Sequence, residues 1–304
     1  MALQRFLNSR HAGVLGLRLS RALSPKLGFV LANLLADRVA TRKKLPIVRA
    51  IRANQWVISG EKLSASQLDQ ATRQNLRFIA HDFYTLFHHI DDPDALIDLV
   101  EFTPRIDRII EDSRHAKKGV IVAGVHLSNF DLVAQAAAVR GLRALALSLP
   151  ESPQPDDAIE WQHAFRRQSG IEILPASLAN FRQVITRLQA GETVLTGVDH
   201  PFTEVKNRPS FFGRPAHLPM HYTHFALKAG VPIVIMASIL GPDGVYHILS
   251  SDEIEMEPCR DHQEAILINA EKVLRIAASF ISQAPLQWAT FYPVWPEALE
   301  EAPE

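Results

Sequence analysis

Gly119-Val120-Ile121-Val122-Ala123-Gly124-Val125-His126-Leu127-Ser128-Asn129-Phe130-Asp131 stands near the middle of the chain. The run 119–125 is short, apolar and β-branched, which reads as a buried core strand. Ser128 reads as a helix N-cap, with a helix to about Arg140 and a stop at Gly141. A strand, a tight connection and a helix make the unit of a parallel α/β sheet. The same stretch puts His126 at the strand end and Asp131 in the first helical turn. A carboxylate there suits an imidazole N–H, leaving the other ring nitrogen to take a proton. Ser128-x-x-Asp131 also resembles a capping box, and an acid in the first turn suits the helix dipole in any case.

Outward from this stretch the pattern alternates. Strands are expected at 143–149, 171–174, 193–198, 232–239 and 245–249. Helices are expected at 63–92, 102–117, 128–140, 156–169, 178–190, 218–229 and 262–283. The expected fold is α/β, a mainly parallel central sheet covered by helices, with an N-terminal helical membrane-associating segment. Residues 1–60 form that basic amphipathic segment, 61–297 the α/β domain, and 298–304 a short acidic tail expected to fray.

The chain has 304 residues and is 47% hydrophobic, enough for a substantial core. Its one cysteine, Cys259, excludes a disulfide framework within the chain. The net charge of −1 conceals an asymmetry. Residues 1–55 carry eleven bases and one acid, Asp37, so the remainder is strongly acidic. A basic arm points to an anionic surface. Leu15, Leu19, Ala22 and Leu23 recur at helical spacing, and Arg18, Arg21 and Lys26 interrupt any run of the roughly 18 apolar residues that a membrane span needs. An interfacial helix pair on an anionic leaflet fits this pattern. The alternative is a helical layer packed on the domain. Nucleic acid is disfavoured because aromatics are sparse among the bases.

No Gly-rich phosphate loop and no Gly-x-Ser-x-Gly elbow occurs. His217, His221 and His224 have metal-like spacing, but no companion acid shares their expected helix and Pro219 interrupts its start, so no metal site is expected. Ligands of open α/β sheets gather beyond the carboxyl ends of the strands. Asp199-His200-Pro201 follows the strand 193–198. The segment 203–219 carries Lys206, Arg208 and Arg214 around Phe211-Phe212-Gly213. Arg166-Arg167 ends a helix before Gly170.

These motifs together resemble the bacterial lipid A biosynthesis acyltransferase family, whose relatives include the acyltransferases of phosphatidylinositol mannosides. The resemblance runs from about Gln74 to Trp295. It rests on His126-x4-Asp131, Arg166-x3-Gly170, Asp199 after a strand, Phe211-Phe212-Gly213-Arg214-Pro215 and Ala229-Gly230-Val231-Pro232. The chain has Asp131 where many lipid A enzymes carry Glu, and His200 where the family often has Gln.

The resemblance implies transfer of a fatty acyl group from acyl-CoA or acyl carrier protein to a hydroxyl of a lipid or glycolipid. It implies His126 as general base oriented by Asp131, with no metal or other cofactor. Substrate contacts are expected at Asn129, Arg166, Asp199, His200, Arg208, Phe211, Phe212 and Arg214. The expected partners are the acyl donor, the lipid acceptor and an anionic membrane surface, at the cytoplasmic face of the inner membrane. The alternatives are a non-catalytic lipid- or carrier-binding relative and an acyl-thioester hydrolase.

Overall fold

Strands that are apolar on both faces belong in the middle of a covered sheet. The run Val120–Gly124 (β2) meets this description, with Ile121 and Ala123 fully buried. The computed structural model describes residues 10–148, 171–201 and 207–304. Its strands are β1 (Val100–Glu101), β2, β3 (Ala144–Ser148), β4 (Glu172–Pro175), β5 (Thr193–Gly197), β6 (Ser210–Phe211), β7 (Arg214–Pro215), β8 (Ile233–Leu240) and β9 (Tyr246–Ser250). Seven of them form one sheet in the order β1-β9-β8-β2-β5-β3-β4. All neighbours in it are parallel except β8 and β9.

The helices are α1 (Arg10–Ala22), α2 (Pro25–Ala40), α3 (Pro46–Ile58), α4 (Ala65–His89), α5 (Pro93–Asp98), α6 (Pro104–Arg114), α7 (Phe130–Val139), α8 (Leu178–Gln189), α9 (His221–Ala229), α10 (His262–Gln283) and α11 (Ala298–Glu301). Their starts follow the sequence signals. Ser64 opens α4 with a capping box to Gln67, Asp92 caps α5, and Asp261 caps α10. The fold is α/β with a mostly parallel central sheet, as the alternation requires.

Several boundaries differ from the sequence reading. The cap of α7 is Asn129, whose Oδ1 accepts from Leu132 N, and not Ser128. Ser128 has φ +52°, a left-handed conformation costly for a residue with a Cβ, so it makes the turn and its hydroxyl does not cap. The edge strand β1 has no signature in the sequence, because two residues carry no periodicity. Segment 203–219 contains the β6–β7 hairpin, turned at Phe212-Gly213 with φ of +49° and +77°. The helix expected over 218–229 starts at His221, with Met220 before it.

The tail does not fray. Ala298 is fully buried, Glu300 pairs with Arg49, Glu301 pairs with Arg214, and the Pro303 carbonyl accepts from Arg52. Acidic residues without an apolar run read as loose, yet basic partners on α3 and in the hairpin hold them. The helix expected over 156–169 lies outside the described residues.

Candidate active site

His126 and Asp199 follow β2 and β5, which are hydrogen-bonded neighbours running in parallel. Adjacent carboxyl ends therefore deliver both side chains to one point. The ring Nδ1 of His126 lies 2.6 Å from Asp199 Oδ1. The backbone N–H of His126 donates to the other carboxylate oxygen, Oδ2, at 2.9 Å. The indole N–H of Trp288 donates to the same oxygen at 2.7 Å. Asp199 is fully buried. Burial alone would push its carboxyl up, but the charge of His126 and the hydrogen bonds from His126 and Trp288 outweigh it, so the carboxyl is held below its ordinary range. An ionised carboxylate makes Nδ1 the donor and gives the ring its Nε2-basic tautomer.

The ring is fixed on its faces as well. Phe130 meets it edge-on with centroids 4.4 Å apart. Gly197 ends β5 beside it, where a Cβ would come within 2.9 Å of the ring Cε1, so this position requires glycine.

Trp288 is carried by a segment that runs against the His126 turn. Leu127 and Trp288 form an antiparallel bridge, Ser128 N donates to Gln287 O, and Ala289 N donates to His126 O. Buried amides hold that segment from the helical layer. Asn75 Nδ2 donates to the carbonyls of Leu286 and Trp288, and Gln55 Nε2 donates to that of Pro285. No sequence signal marked Trp288, which lies 89 residues from Asp199 in the chain.

The other expected site residues separate into groups. Asp131 sits half-buried in the first turn of α7. His200 is half-buried, its ring 6.0 Å from that of His126 and 5.2 Å from the exposed Tyr292. Burial, then the charge of His126, push the His200 imidazole down to about 4, so it is neutral at physiological pH. Asn129 has both ends of its amide occupied, since its Nδ2 donates to Asp82 O at 2.7 Å and to the Tyr246 hydroxyl at 3.3 Å. Phe211 is buried and stacks on Trp295 at 5.6 Å, with Phe212 packed against both. Arg208 pairs with Glu297, and Arg214 pairs with Glu61 and Glu301. These four residues thus have partners in the core and the C-terminal segment. Arg166 and Lys206 lie outside the described residues.

The three spaced histidines face different partners. His217 approaches Glu297, His221 Nε2 meets Thr196 Oγ1 at 2.9 Å inside the core, and His224 meets His262. Among the described residues no group of three potential ligands could hold a metal ion.

A mostly parallel α/β sheet thus brings a carboxylate-held histidine to adjoining strand ends. The family model of the bacterial lipid A biosynthesis acyltransferases matches residues 88–297, and the chain belongs to that family. Membership makes it a lipid acyltransferase of the lipid A type, working with an acyl donor and a lipid acceptor. The comparison with curated proteins found no match.

Proposed function

We propose that the protein transfers a fatty acyl group from acyl-CoA or acyl carrier protein to a hydroxyl of a lipid or glycolipid. The observation that carries this reading is the His126–Asp199 contact at the ends of β2 and β5, inside the matched family region. The acceptor hydroxyl gives its proton to His126 Nε2 as its oxygen attacks the thioester carbonyl. Asp199 holds the tautomer and stabilises the imidazolium. Asp131, in the first turn of α7, adds negative charge at the same turn. A tetrahedral intermediate forms, and its collapse expels the thiolate, which takes the proton back. A positioned base of this kind contributes roughly 10²–10⁴-fold. The N–H groups of Leu127, Ser128, Phe130 and Leu132 already donate within the protein. Stabilisation of the oxyanion therefore falls to donors other than these four.

The reading extends to an anionic membrane at the cytoplasmic face of the inner membrane. On α2, Leu27, Val30, Leu34 and Leu35 are exposed, Leu34 by 63%. On α1, Leu15 and Leu19 are exposed too, and Arg18, Arg21, Lys26 and Arg38 accompany them. No helix among the described residues is long and apolar enough to cross a bilayer. This pattern supports seating in the interface.

The test is release of free thiol from palmitoyl-CoA, with and without vesicles holding candidate glycolipid acceptors, followed by mass spectrometry of the lipids. Acylated lipid is expected with the wild type and none with folded His126→Ala. Turnover surviving in His126→Ala refutes the base. Thiol release without acylated lipid identifies a hydrolase.

A further inference from the structure

Asp82, on α4, is buried and faces away from the solvent side of its helix. The Tyr246 hydroxyl of β9 donates to Asp82 Oδ1 at 3.0 Å. Asn129 donates to the Asp82 carbonyl and to the Tyr246 oxygen, while its own Oδ1 caps α7. Three hydrogen bonds thus join α4, β9 and the turn that carries His126, and the same amide caps α7 with a fourth. Asn129 is three residues from His126 and two from Asp131, so a shift of this junction moves both.

We propose that Asp82, Tyr246 and Asn129 form a positioning unit that sets the placement of the His126–Asp131 turn on the sheet. The proposal rests on the reading of His126 as the base and adds residues that touch neither substrate nor reacting atoms. A displacement of about 1 Å in a reacting group costs up to roughly 10²-fold in rate, which is the scale on which such a unit acts.

The unit works with Asp82 as an uncharged acid. Its burial pushes the carboxyl up to about 8, opposed by the Tyr246 hydrogen bond. The groups meeting it are Tyr246 from β9 and Asn129 from the start of α7, both uncharged, and burial also pushes the Tyr246 phenol up. Among the described residues no cation pairs with Asp82. Ionisation therefore places an uncompensated charge in the junction. Because the folded-state value is raised, the stabilising contribution is complete below the ordinary value near 3.8 and is lost as pH rises through about 8.

Three variants test the unit: Asp82→Leu, Asp82→Asn and Tyr246→Phe. The first readout is the Nδ1–H resonance of His126, assigned as the downfield signal absent from His126→Gln. It is expected to shift or broaden in Asp82→Leu and Tyr246→Phe and to be restored in Asp82→Asn, which keeps an acceptor for the tyrosine. The second is palmitoyl-CoA turnover, where kcat is expected to fall roughly 10- to 100-fold in those two variants with little change in KM. The third is Tm, which in Asp82→Asn should gain on the wild type as pH rises from 5 to 8. An unchanged His126 resonance in folded Asp82→Leu and Tyr246→Phe overturns the proposal. If those variants do not fold, a constant Tm difference for Asp82→Asn across that range overturns it. Full turnover in His126→Ala instead refutes the base, and the resonance still reports on the unit.

Discussion

Helices α2 and α3 look alike as strings. Each starts on a proline, carries bases with at most one acid, and is mostly apolar. The structure treats them oppositely. In α3, Val48, Ala50, Ile51, Ala53, Asn54, Gln55, Trp56 and Val57 are all buried. In α2 only Gly28, Ala32 and Ala36 are, and Leu27, Leu34 and Leu35 face outward. The more apolar helix is the outer one. Small residues explain this: Gly28 lies against the Tyr84 ring, which a Cβ would overlap, so α2 lies close on α4 along a narrow stripe. The larger apolar residues are left on the other side. Polar residues explain α3. Asn54 donates to Tyr292 O and accepts from Val294 N, so burial leaves that amide satisfied. Hydrophobicity alone therefore does not rank helices by depth, and satisfied amides are the better guide here.

The contrast can be broken at graded strength. Trp56→Ala empties a core position of α3 and is expected to cost about 3–5 kcal/mol in denaturant unfolding. A loss near zero would mean α3 is peripheral. Asn54→Ala leaves the Val294 N–H unmatched and should cost about 1–3 kcal/mol by the same measurement. Changing Leu27, Val30, Leu34 and Leu35 of α2 together to Gln should leave Tm nearly unchanged. The same variant should lose binding to anionic vesicles, and the wild type should lose it progressively with added salt. A collapse of Tm in that variant would show that the face is covered by protein.

Much of the fold was legible because the sheet is buried on both faces. The run 119–125 and helix 262–283 differ from the expectation by no more than a residue at either end. What escaped was set by distant contact. The antiparallel turn of β9 against β8 leaves no trace in the five residues Tyr246–Ser250. The site was partly legible in the same sense. His126 and Asp199 were identified as separate features after two strands, and their pairing depends on β2 and β5 being neighbours, which order in the chain does not give. The sequence proposed Asp131 for the imidazole because it lies close in the chain; the structure adds Asp199 at Nδ1. Asp82, Tyr246 and Trp288 belong to no motif, since each acts through hydrogen bonds that cross the fold.

One carboxylate receives N–H groups from two remote stretches of chain, 73 residues before it and 89 residues after it. Contacts of that span are expensive in loop entropy and form late relative to local ones. A nascent or half-folded chain therefore holds the histidine without its partner carboxylate in place. The donor set of Asp199 is complete only once the C-terminal segment that carries Trp288 has closed against the His126 turn.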